Sequence, residues 1–151
     1  MTSGGEVDIG SLGGITTGSV VAGSVGIRMN AGDGDLTTGS LTSSGYVDLY
    51  AGPGTLTATI GSITTGNIIA GSNVSLAARK SIATSAINAD WVNLSASDGT
   101  LTTGDISAVR SVNASGSLGV LISKIYAGGR VSVSSVGGDI TAGGLYAGMS
   151  E

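Results

Sequence analysis

The chain has 151 residues and a formal charge of −4, with 28 glycines, 11% charged residues, 3% aromatics and no Phe, His or Cys. The missing residue types exclude disulfides, Cys/His metal centres and a His-based catalytic triad, and the scarcity of basic residues argues against a nucleic-acid surface. Hydrophobic residues still reach 40%, which sets the chain apart from disordered sequences, and a single proline without a Gly-X-Y period excludes collagen. No apolar run reaches the roughly 18 residues of a membrane span. Residues 1–6 have neither the basic nor the apolar part of a signal peptide.

In chain order, the first apolar feature is the two-apart pair Val7/Ile9. From Ile15 onward a unit recurs whose first aliphatic residues are Ile15, Leu36, Ile63, Ile82, Leu101, Val120 and Ile140, spaced by 21, 27, 19, 19, 19 and 20 residues. Three residues after each stand Gly18, Gly39, Gly66, Ser85, Gly104, Ser123 and Gly143. Five after each stand Val20, Leu41, Ile68, Ile87, Ile106, Ile125 and Leu145, all aliphatic. Seven after each stand Ala22, Ser43, Ala70, Ala89, Ala108, Ala127 and Ala147, all small. A third station follows as Val25/Ile27, Val47/Leu49, Val74/Leu76, Val92/Leu94, Val112/Ala114 and Val131/Val133, with Val7/Ile9 as its copy ahead of the first unit. Each station alternates inward and outward with period two, and none has a 3.6-residue apolar period.

Strands this short bury nothing alone, so the pattern predicts an all-β, parallel β-solenoid with three short strands per coil. A coil takes about 19–21 residues, and about seven coils stacked at about 4.8 Å make a rod of about 34 Å. The whole chain, 1–151, reads as a single solenoid domain. Its core has room for aliphatics and alanine, which accounts for the absent Phe, while glycine and serine serve the corners. The 27-residue spacing from Leu36 to Ile63 marks an inserted loop at about 52–61, around Pro53. Both termini read as uncapped, with a lone third station at the start and a missing one at the end. Head-to-tail stacking through Val7, Ile9, Leu145, Ala147 and Met149 follows as an expectation.

Phrases such as Gly34-Asp-Leu-Thr-Thr-Gly-Ser-Leu41, Ile68-Ile-Ala-Gly-Ser-Asn-Val-Ser-Leu76 and Gly138-Asp-Ile-Thr-Ala-Gly143 resemble the repeat region of filamentous haemagglutinin-like exoproteins, bacterial proteins exported by two-partner secretion. The resemblance covers residues 7–149 and is one of repeat style. It implies a right-handed parallel β-helix and a rod on the bacterial cell surface or secreted from it. The implied role is adhesion or filament formation, with a host glycan or protein as partner and no cofactor. The motifs of that family's secretion domain are absent.

Nothing in the residues suggests catalysis. Asp33 and Asp98 share a slot three coils apart, Asp35 and Asp139 share the next slot five coils apart, and all read as solvated turn residues. Asp105 with Lys124, and Asp90 with Arg110, fall in adjacent coils as expected ion pairs. Asn93 and Asn113 align as an expected side-chain ladder. Tyr126 and Tyr146 are expected to stack on the surface, and Trp91, Tyr46 and Tyr50 flank the third strand as a second exposed aromatic group suited to sugar or protein contact. The leading expectation is a non-enzymatic rod of a surface exoprotein, followed by a self-assembling filament subunit. An outward column of Thr16, Thr37, Thr64, Ala83, Thr102, Leu121 and Thr141 keeps ice binding as a minor alternative. A polysaccharide-acting β-helix enzyme is another.

Overall fold

In a computed structural model that describes residues 1–52 and 61–148, every regular element is a β-strand. A leading strand, β1 (Val7–Ser11), precedes the first full coil, which holds β2 (Ile15–Thr16), β3 (Val20–Ala22) and β4 (Gly26–Ala31). The second coil holds β5 (Leu36–Thr37), β6 (Leu41–Ser43) and β7 (Tyr46–Ala51), and the third holds β8 (Ile63–Thr65), β9 (Ile68–Ala70) and β10 (Asn73–Ala78). In the next two coils the second and third stations merge: β11 (Ile82–Thr84) precedes β12 (Ile87–Ala96), and β13 (Thr100–Thr103) precedes β14 (Ile106–Gly116). The sixth coil has β15 (Gly119–Ile122), β16 (Ile125–Ala127) and β17 (Val131–Ser135), and the seventh has β18 (Ile140–Ala142) and β19 (Leu145–Ala147).

Every pairing is parallel and joins a strand to its equivalent one coil away, which makes the fold a β-solenoid. The first column runs Ile15, Leu36, Ile63, Ile82, Leu101, Val120, Ile140 without a slip. The second runs Val20, Leu41, Ile68, Ile87, Ile106, Ile125, Leu145. Parallel pairing of like with like lets branched side chains nest on copies of themselves, which suits β-branched residues and removes apolar surface from water on every coil. Leu36, Leu41, Ile63, Ile68, Ile82, Leu101 and Ile106 are all 0% exposed. The inward threonines meet the demand that a buried hydroxyl find a partner. Thr38, Thr65, Thr84 and Thr103 each donate Oγ1 to the carbonyl of the following residue at the corner, at 2.9–3.1 Å.

The structure corrects the expected third station of the first coil. Ile27 faces Val47 and Met29 faces Leu49, so the inward pair is Ile27/Met29, while Val25 is 47% exposed. Apolarity alone could not choose between two frames two residues apart; the pairing with β1 and β7 did. A small third inward column also emerges, Ala31, Ala51, Ala78, Ala96, Gly116 and Ser135.

The expected glycine turn at the second corner is absent from two coils, where β12 and β14 pass through it. Here β14 carries one extra residue: Ala89 pairs with Ala108, but Trp91 pairs with Ser111. This bulge turns Val109 outward to 69% exposure and lets the strand bend at the corner.

The start of the chain is a second correction. Residues 1–6 are not a loose tail: Thr2 bridges Val21, Val21 N–H donates to the Met1 carbonyl at 2.9 Å, and Ser3 N–H donates to the Val21 carbonyl at 2.9 Å. Short segments before β1 therefore continue the second column, and β1 is not a lone station.

Of the inserted loop expected at 52–61, residues 53–60 lie outside the described residues, as does Met149. The two ends of the loop meet: a Cβ on Gly61 would lie 2.6 Å from Gly52 N, and Gly61 has φ 138°. The coil therefore resumes where it left off, through a backbone approach that only glycine permits. At the C-terminal edge of the stack the core opens, with Ile140 and Leu145 46% and 51% exposed although both hold inward register.

Candidate functional site

The outward positions of the second face form a column of Val21, Thr42, Ile69, Asn88, Ser107, Tyr126 and Tyr146. Tyr126 and Tyr146 stack as the register requires, with ring centroids 4.8 Å apart and planes 6° apart. The separation equals one coil, so the rings satisfy each other as a cross-strand pair. Lys124 and Asp105 lie at this corner in adjacent coils, yet they are not among the ion pairs of the described residues. Those are Arg28–Asp48 at 3.8 Å, Arg79–Asp98 at 2.7 Å and Arg110–Asp90 at 3.8 Å. Long exposed side chains in high dielectric gain too little from pairing to fix one geometry.

On the third face the structure places Tyr46 and Trp91 in one outward column. Trp91 pairs with Asn73 on one side and Ser111 on the other, and Tyr46 stands one position before the Val47–Val74 pairing. Tyr50 lies on the same face four residues later, beside Ala77 and Asn30. The three aromatics thus share a face without stacking on one another.

Tyr46 is engaged internally. Its ring lies down the column over Gly26, where an added Cβ would sit 2.7 Å from the ring carbons. Its hydroxyl donates to the Glu6 carboxylate, and Arg28 stands 5.6 Å from the ring centroid. The hydrogen bond to Glu6 raises the tyrosine pKa above its usual 10.0, and Arg28 works against that shift. Tyr46 is therefore a brace between coils more than an open contact residue.

Trp91 is different. It is 46% exposed and forms one wall of an open groove of about 470 Å³, lined also by Asn93, Ser111, Asn113, Arg130 and Ser132. The outward order across three coils is Trp91, Ser111, Arg130, since Arg130 N–H donates to Ser111 Oγ at 3.2 Å and Val112 pairs with Val131. A small residue between two large ones makes the hollow. The bulge in β14 carries Arg110 to 5.8 Å from the Trp91 ring centroid, a cation–π distance, and Asp90 neutralises it. The expected Asn ladder is present beside the groove: Asn113 Nδ2 donates to Asn93 Oδ1 at 3.1 Å. Arg130 and Ser132 are absent from the sequence-based contact residues. Their signal was the pairing of Val112 with Val131, which fixes Arg130 and Ser132 as outward neighbours of Ser111 and Asn113.

Among the described residues the acids do not converge. Asp35 Oδ1 accepts from Ser62 N–H at 2.8 Å, as a turn carboxylate does. Among the described residues no group of three acids is placed to hold a metal ion, and no helix is long and apolar enough to cross a membrane. Compared with family models, curated proteins and solved structures, the chain matches none.

Proposed function

We propose that this chain is a non-catalytic structural rod of a secreted or cell-surface bacterial exoprotein of the filamentous haemagglutinin type. The observation that supports it is the continuity of the columns: an aliphatic side chain recurs at the same inward register in each successive coil, and the described outer faces carry ladders and isolated ion pairs in place of a cleft with convergent acids. Such a stack grows by adding coils without changing its cross-section, which is what a spacer or surface fibre requires. Immunogold labelling of intact cells of the source organism, with an antibody raised against this chain, tests the reading. Label on surface fibres or in the medium is expected; label confined to the cell interior overturns it.

A second reading, a filament subunit stacking head-to-tail, is favoured by the exposed inward residues Ile140 and Leu145 of the last coil. The pairing of Met1–Ser3 with β3 changes its geometry. If Val7–Ile9 of a following copy completes the third column above β17, Met1–Ser3 of that copy and β19 occupy the same level of the second column. Stacking then requires Met1–Ser3 to detach, and removing residues 1–5 is expected to promote fibres in electron micrographs. Equal behaviour of full and shortened chains removes this reading.

A further inference from the structure

We propose that the groove between Trp91 and Arg130 binds a uronate residue of an acidic polysaccharide. The proposal goes beyond the rod reading, and each can fail alone, because one is read by localisation and the other by ligand binding.

The groove offers the two kinds of surface that a sugar ring presents. Trp91 supplies a rigid apolar wall for a face of C–H groups, and its exposure of 46% leaves indole surface uncovered. The floor and flank are hydroxyls and amides: Ser111, Ser132, Asn93 and Asn113. Asn93 and Asn113 share one hydrogen bond, which orients both amides along the rod and leaves further donor and acceptor capacity for ligand hydroxyls. Backbones two coils apart are separated by about 9.6 Å, twice the parallel strand spacing, so the wall-to-wall span admits a single pyranose ring with its substituents.

Charge selects the class of sugar. Arg110 stands by the indole with Asp90 as its counter-ion, so it adds little net field. Arg130, on the opposite wall, is exposed and makes no ion pair among the described residues. A planar guanidinium facing the groove matches a carboxylate in bidentate geometry. A ring with its C–H face on Trp91, its hydroxyls over Ser111 and Asn113, and its carboxylate at Arg130 uses every wall of the groove. The groove is open to solvent, so the site takes one residue of a longer polymer.

Trp91 is the single tryptophan of the chain, so its emission reports on this site alone. The experiment titrates the whole 151-residue chain with oligomers of galacturonate, of mannuronate and of glucuronate, with neutral galactan and dextran oligomers as controls. At least one uronate series is expected to change Trp91 emission saturably and more weakly at high salt. Arg130→Gln is expected to weaken that binding about tenfold or more, with unchanged circular dichroism because the residue is exposed, and Lys124→Gln is expected to leave it as it was. Calorimetry on Trp91→Ala supplies an emission-independent reading, with loss of binding expected. No saturable change with any uronate, equal binding of neutral oligomers, or full affinity in Arg130→Gln overturns the proposal.

Discussion

Ile82 and Ile140 occupy the same inward column, but Ile82 is 0% exposed and Ile140 is 46% exposed. Replacing each by alanine separates a closed column from its open end. At Ile82 the change removes three carbons from full burial, about 2.4 kcal/mol at about 0.8 kcal/mol per methylene. The strands bearing Ile63 and Leu101 on either side are fixed by backbone pairing, so the space cannot collapse, and a cavity cost brings the total to about 3–4 kcal/mol. At Ile140 about half the transfer term applies and solvent fills the gap, so about 1 kcal/mol is expected. Urea denaturation followed by circular dichroism gives both differences from the midpoints, with the slope checked against the parent chain. If Ile82→Ala costs under about 1 kcal/mol, or no more than Ile140→Ala, the continuous packed column is refuted. A lowered slope for Ile82→Ala alone instead reports that the coils on either side unfold separately, as nearest-neighbour solenoids do.

Three further outcomes follow from single contacts. Gly45→Ala places a Cβ 1.9 Å from the Val25 carbonyl oxygen, whereas Gly18→Ala meets nothing within 4 Å; melting should show a loss of about 1–3 kcal/mol or more for the first and under about 0.5 kcal/mol for the second. Thr103→Val removes the 3.0 Å bond to the Gly104 carbonyl, but the same inward column already holds Ile122; denaturation is expected to move by less than about 1 kcal/mol in either direction. Tyr46 is held protonated above 10.0 by Glu6, so any stability it contributes is present below pH 10 and is lost as pH rises through the raised value. Ultraviolet titration should find Tyr46 ionising above its usual 10.0, and Glu6→Ala should return it toward 10.

All three stations were legible from residue order, with the third misframed only in the first coil. The anchors and the residues five and seven beyond them repeat closely enough that period-two alternation fixed which side chains face inward, and stacking like on like left a parallel solenoid as the way to bury them. The same logic anticipated the Tyr126–Tyr146 stack, the Asn93–Asn113 bond and the Arg110–Asp90 pair, because outward neighbours in adjacent coils follow from register alone. Where two frames were equally apolar, at Val25/Ile27 against Ile27/Met29, local pattern carried no information and only pairing with β1 and β7 decided. Met1–Ser3 gave no apolar signal, since that segment is held by backbone hydrogen bonds that any sequence can make. The groove was beyond reach for a related reason. It arises from one extra residue in β14, a small Ser111 and an Arg130 in the next coil, and a hollow is a property of three coils at once. Composition and spacing determined the coil; how neighbouring coils meet was decided by tertiary packing, because the shape of a surface depends on side chains that are distant in sequence and only 4.8 Å or so apart in space.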